Sequence, residues 1–104
     1  MNWLFEDGRI YGMGDGNELL AEVTYVYKGN GEIDIDHTYV SPSLRGKGVA
    51  GEMMTALVAD LKKKGLKAVA SCPYARAWLL HNRKTHAAVI SDDFDEVTGA
   101  GDVS

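Results

Sequence analysis

A single cysteine, Cys72, in 104 residues excludes an internal disulfide and a cysteine-built zinc site. Packing alone must hold the fold, which suits a reducing cytoplasm. There is no basic excess either. Lys and Arg number 11 against 15 Asp and Glu, a net charge of −4, the wrong sign for a surface that tracks a phosphate backbone. Nucleic acid is not an expected partner. No apolar run approaches the about 20 residues that cross a bilayer, and Met1-Asn2-Trp3-Leu4-Phe5 lacks a basic stretch followed by an apolar one. The expectation is a cytoplasmic protein without a membrane partner. His37, His81 and His86 are scattered without metal-ligand spacing, so no metal is expected. At this length the chain is expected to be one domain, residues 1–90, followed by a polar tail, 91–104, that is open to disorder.

What the chain does have is glycine, 12 residues of it, and the glycines punctuate alternating apolar patterns. After an apolar opening at Trp3-Leu4-Phe5, Arg9 to Met13 reads as a strand ending at the turn Gly14-Asp15-Gly16-Asn17. Leu19 to Tyr27 is rich in β-branched and aromatic residues and ends at Lys28-Gly29-Asn30-Gly31. Glu32 to Val40 alternates, which predicts Ile33, Ile35, His37 and Tyr39 on one face and Asp34, Asp36, Thr38 and Val40 on the other. These strands form an antiparallel meander. Asp34 and Asp36 read as solvated.

Pro42 stops the third of these strands. Beyond Ser41 to Ala50, the residues Met53, Met54, Leu57, Val58 and Leu61 continue an apolar stripe begun by Val49 and Ala50, predicting a helix from Val49 to Lys64. Lys62, Lys63 and Lys64 complement its C-terminal dipole, and Gly65 suits the left-handed position beyond. Leu66 to Ser71 is a short strand, parallel to the third by way of this crossover. A second, shorter helix starts near Pro73 and runs toward Asn82, and Arg83 to Ile90 is open to helix or strand. The fold class is α/β, with a mixed sheet of the α+β kind: a meander, a strand-loop-helix-strand crossover and a short second helix.

This order puts Arg45, Gly46, Lys47, Gly48, Val49 and Ala50 at a strand end and a helix N-terminus. Backbone N–H groups there lack an intrahelical partner, and the helix dipole adds positive charge, so the place favours a phosphate or pyrophosphate. Gly46 and Gly48 let the backbone approach such a group, and Arg45 and Lys47 add charge. The plainer alternative is a tight strand-to-helix turn. Gly46-Lys47-Gly48-Val49-Ala50-Gly51 formally satisfies G-x-G-x-x-G, yet five residues intervene after Val40, and no acid lies between Lys67 and Pro73 to bind a ribose. A P-loop is excluded because Ser41 stands where its first glycine belongs.

Val40-Ser41-Pro42-Ser43-Leu44-Arg45-Gly46-Lys47-Gly48-Val49-Ala50 resembles the acetyl-CoA-binding motif of the GNAT superfamily of N-acetyltransferases, Gln/Arg-x-x-Gly-x-Gly/Ala. Arg45, Gly48 and Ala50 fit it in one register; in the other, Ser43 takes the place of the usual Gln or Arg. His37-Thr38-x-Val40, Pro42, Arg45-Gly46-x-Gly48 and Cys72-Pro73-Tyr74 further resemble the minimal single-domain members of that superfamily, over about Arg9 to Ile90. The turn at Gly14 to Asn17 leaves no space for the helices that follow the first strand in larger members and usually help form the acceptor site.

The resemblance implies acetyl-CoA as co-substrate and an amine acceptor, small molecule or protein. It implies that the pyrophosphate lies over the loop and that the pantetheine arm runs between the third and fourth predicted strands, ending near Cys72. Cys72 then either accepts the acetyl group as a thiolate or packs as a small buried residue. His37 is the candidate base, for the amine or for Cys72, against a histidine merely bonded within the sheet. Tyr74 is a candidate acid for the departing thiolate, against a packed aromatic, and Asn82 either reaches the pantetheine amides or caps its helix. The function implied is N-acetyl transfer, directly or through Cys72. The alternative is a non-catalytic CoA-binding module or sensor.

Overall fold

Asn17 and Asn30 adopt left-handed backbone angles, φ 62° and 58°, and at these two turns the N-terminal half folds back on itself. The computed structural model describes residues 1–92 and 94. Five strands form one sheet in chain order: β1 (Leu4–Glu6), β2 (Arg9–Met13), β3 (Leu19–Gly29), β4 (Glu32–Val40) and β5 (Lys67–Ala70). Neighbours are antiparallel except β4 and β5, which are parallel. The mixed sheet, meander and crossover are thus as the sequence predicts. The apolar opening, however, is a strand of its own, pairing Leu4 with Tyr11 and Phe5 with Ile10.

Helix α1 spans Val49–Lys64. It buries Met53, Met54, Leu57, Val58 and Leu61 against β2, β3 and β4, each worth about 1.5–3 kcal/mol by removal from water. Gly65, at φ 70°, ends it, with its N–H and that of Leu66 returning to Leu61 O. Helix α2 spans Pro73–His81.

The alternation predicted along β4 fails midway. Thr24 pairs with His37, whereas the next residue, Tyr25, pairs with Ile35, so Asp36 is an extra residue and β4 bulges there. Ile33 and Ile35 face the core before the bulge; Thr38 and Val40, paired with the buried Val23 and Ala21, face it afterwards. Asp36, His37 and Tyr39 are left on the outer face. Thr24 Oγ1 donates to Asp36 Oδ1 at 2.6 Å, so Asp36 is bonded across strands. Asp34 is not simply solvated either: its carboxylate accepts from Ser71 N at 2.7 Å and Ser71 Oγ at 2.9 Å.

Arg83 to Ile90 is neither a third helix of any length nor a full strand. It carries a 3-10 turn, Ala87–Val89, and ends on a parallel bridge from Ile90 to Ala68. Packing continues past residue 90. Ser91 is buried, its N–H donating to Ala68 O at 3.0 Å and its hydroxyl to Glu32, and Phe94 is completely buried. The rest of the predicted tail, residues 93 and 95–104, lies outside the described residues. Phe94→Ala should cost about 3–5 kcal/mol in urea unfolding. A variant as stable as the parent would return Phe94 to the tail.

Candidate functional site

The loop after β4 is built from short local bonds. Ser41 N donates to Leu20 O at 2.8 Å, Leu44 N to Ser41 O at 2.9 Å, and Lys47 N to Leu44 O at 3.3 Å. Gly46 and Gly48 then take φ 80° and 79°. Among the described residues a Cβ at either would meet no heavy atom within 4 Å, so the backbone angle, not crowding, calls for glycine. Gly48 is the N-cap of α1, and no side chain caps that end. The first bond of the α-helical ladder runs from Glu52 N to Gly48 O at 3.1 Å, so the N–H groups of Val49, Ala50 and Gly51 have no carbonyl one turn back.

These groups border a cleft of about 250 Å³. Val40, Arg45, Gly46, Gly48, Val49 and Ala50, which the sequence offers as cofactor-loop candidates, line it together, and Tyr74 reaches it from α2. Leu44 and Gly51 join them, unannounced by the motif. Lys47 is not part of the wall. The Arg45 side chain folds back, its Nε donating to Val40 O at 3.2 Å, which ties the loop to the strand end. Tyr74 is 41 % exposed, and its partial desolvation raises the hydroxyl above the ordinary tyrosine range.

Beside the cleft the sheet opens. β4 and β5 pair only from Glu32–Lys67 to Ile35–Ala70. Ser71 N and Cys72 N both donate to Ile35 O, at 3.1 and 3.0 Å, and Pro73 at once starts α2. Among the described residues, Asp36 to Val40 therefore has β3 on one side and no strand on the other. Asp34, gripping Ser71, holds the end of β5 where the strands part. Cys72 is buried at 8 % exposure at that point, the N-cap of α2, with Sγ 3.4 Å from Thr38 Oγ1. Thr38 is a contact the alternation pattern hid, because it assigned Thr38 to the other face.

His37 is corrected by the same bulge. Its neighbour Thr38 faces Cys72, so His37 faces away, with Nε2 3.4 Å from Glu22 Oε1 and the side chain 53 % exposed. It is no partner for the thiol. Asn82 is also elsewhere: its Nδ2 donates to Trp78 O at 2.8 Å, capping α2, and it does not line the cleft. Among the described residues no group of three or more His, Cys, Asp or Glu is placed to hold a metal ion, and no helix is long and apolar enough to cross a membrane.

The family model described as GCN5-related N-acetyl-transferase matches residues 10–89, most of the chain. The chain belongs to that family. As a GCN5-related N-acetyltransferase it is an acetyltransferase. A GCN5-like protein of Staphylococcus aureus, solved in solution, is 34 % identical, with a TM-score of 0.70 over 86 % of this chain and 87 % of that one. Two larger structures share the fold at lower identity. The ribosomal-protein-S18-alanine N-acetyltransferase of Escherichia coli is 17 % identical, with a TM-score of 0.57 over 76 % of this chain. Nourseothricin acetyltransferase is 21 % identical, with a TM-score of 0.53 over 75 % of this chain. The GCN5-related chain spans only about half of these two, 50 % and 47 %. Among curated proteins no sequence match is found.

Proposed function

We propose that the protein transfers the acetyl group of acetyl-CoA directly to an amine, of a small molecule or a protein, at the gap between β4 and β5. One observation carries the reading: the uncapped N-terminus of α1 borders a cleft that also takes in Val40, the last residue of the stretch of β4 that runs on beyond its pairing with β5. An extended pyrophosphate-bearing thioester meets both features at once. The pyrophosphate takes the N–H groups of Val49 to Gly51 and the dipole of a 16-residue helix, with Arg45 at the margin. The acyl arm lies along the unpaired edge of β4, where it completes backbone hydrogen bonding as a strand would.

The acceptor reaches the gap from the outer face, where the bulge presents His37. The amine nitrogen attacks the thioester carbonyl, and its proton passes to the imidazole. The C–S bond breaks, and the sulfur takes a proton from the Tyr74 hydroxyl. Cys72, bonded to a hydroxyl and facing away from His37, shapes the end of the gap and carries no acyl group.

The test mixes protein and acetyl-CoA with a panel of small amines and peptide N-termini and follows release of CoA thiol. Acceptor-dependent, steady release supports transfer. Tight CoA binding without release with any acceptor would make the domain a CoA-binding module or sensor. Intact mass after acetyl-CoA alone should show no acetyl adduct; one that disappears in Cys72→Ala would establish the thiol route instead.

A further inference from the structure

Trp78 lies on α2 one turn beyond Tyr74, so its ring stands on the same side of the helix as a cleft-lining residue. Its Nε1 is 3.7 Å from the point a Cβ on Gly51 would occupy, and Gly51 itself lines the cleft at the third position of α1. The ring is held: it stacks on His86 with centroids 5.3 Å apart at 14°, and the rest of it packs against the core. Among the described residues the indole N–H has no acceptor, although the other tryptophan, Trp3, donates to Glu52 Oε2 at 2.9 Å. The nitrogen is not a buried atom left without a partner; it is open to solvent at the notch.

Gly51 sharpens the point. Glycine within a helix weakens it relative to alanine, and a methyl group here would meet only ordinary contact distances. Packing therefore does not demand glycine at this position. What a side chain would do is stand between the Trp78 nitrogen and the cleft. The notch keeps a rigid, neutral donor open beside the N–H groups of Val49 to Gly51.

We propose that Trp78 is a specificity-determining contact for the co-substrate, its indole N–H donating across the Gly51 notch to a pyrophosphate oxygen seated on the α1 N-terminus. This rests on the acetyl-CoA reading above. A neutral donor in this position selects ligands that carry the pyrophosphate and gives nothing to a pantetheine arm lacking it. A hydrogen bond to a charged oxygen corresponds to about 10- to 100-fold in affinity.

Calorimetric titration of the full chain with CoA and with pantetheine tests it, using Trp78→Phe, Gly51→Ala and the double variant, with melting temperatures as a check on folding. Trp78→Phe keeps a ring against His86 but loses the donor. It should weaken CoA about tenfold or more and leave pantetheine unchanged. Gly51→Ala should weaken CoA while raising the melting temperature, and its effect on CoA should shrink in the Trp78→Phe background, since both remove one contact. Parent-like CoA affinity in either single variant overturns the contact while leaving the cofactor site in place. Equal losses for CoA and pantetheine also overturn it. No CoA binding by the parent protein would defeat the cofactor reading itself, and this contact with it.

Discussion

Gly48→Glu should lower CoA affinity by about 100-fold or more, equivalent to about 2.7 kcal/mol or more, while the protein remains folded. Two costs combine in this substitution and can be separated. A non-glycine residue at φ 79° carries about 1–2 kcal/mol of backbone strain, which a domain with an otherwise intact core tolerates. Among the described residues the added Cβ meets nothing within 4 Å, so no packing there is lost. The carboxylate, however, enters the space in front of the α1 N-terminus, where its charge takes the favourable dipole interaction meant for a phosphate and repels the phosphate itself. Gly48→Ala should show the strain in urea unfolding with a much smaller loss of CoA. Unchanged CoA affinity in Gly48→Glu would remove the loop from the site.

His37→Ala should lower kcat about 100-fold and leave the CoA dissociation constant within about twofold. The separation follows from the bulge at Asp36, which turns His37 to the face opposite the loop. The loss should diminish as pH rises, because an acceptor that arrives already deprotonated needs no base, and added imidazole should restore part of the rate. Glu22 faces the ring, with Arg9 paired to the same carboxylate. A parent-like kcat in His37→Ala would make the histidine a sheet residue only, and an equal rise in the CoA dissociation constant would mean that the substitution disturbs β4 as a whole.

The elements legible in the sequence are those whose signals are local. Helix α1 begins after the Gly46-Lys47-Gly48 turn and ends on a lysine run and Gly65, and its bounds follow from residues within four positions of each end. Val40, Arg45, Gly48 and Ala50 fall in the cleft for the same reason: a strand end, a glycine turn and a helix start set the site between them. The bulge in β4 has no such signature. Asp36 looks like one more step of a regular alternation, and only pairing with Thr24 and Tyr25 on β3, more than ten residues away, reveals that the period slips. That slip decides which of His37 and Thr38 meets Cys72. Phe94 was hidden among acidic neighbours, and its burial depends on a core assembled from distant elements. Trp78 falls within the predicted second helix, but nothing along the chain places Gly51 in front of it.

At 11.3 kDa the chain suits resonance-by-resonance amide titration, which tests the central claim most directly. Adding CoA should move the N–H signals of Val49, Ala50 and Gly51 most, with those of Gly46 and Gly48, and then Thr38 to Val40 along the open edge of β4. Shifts concentrated on another surface, with the α1 N-terminus unmoved at saturation, would contradict it.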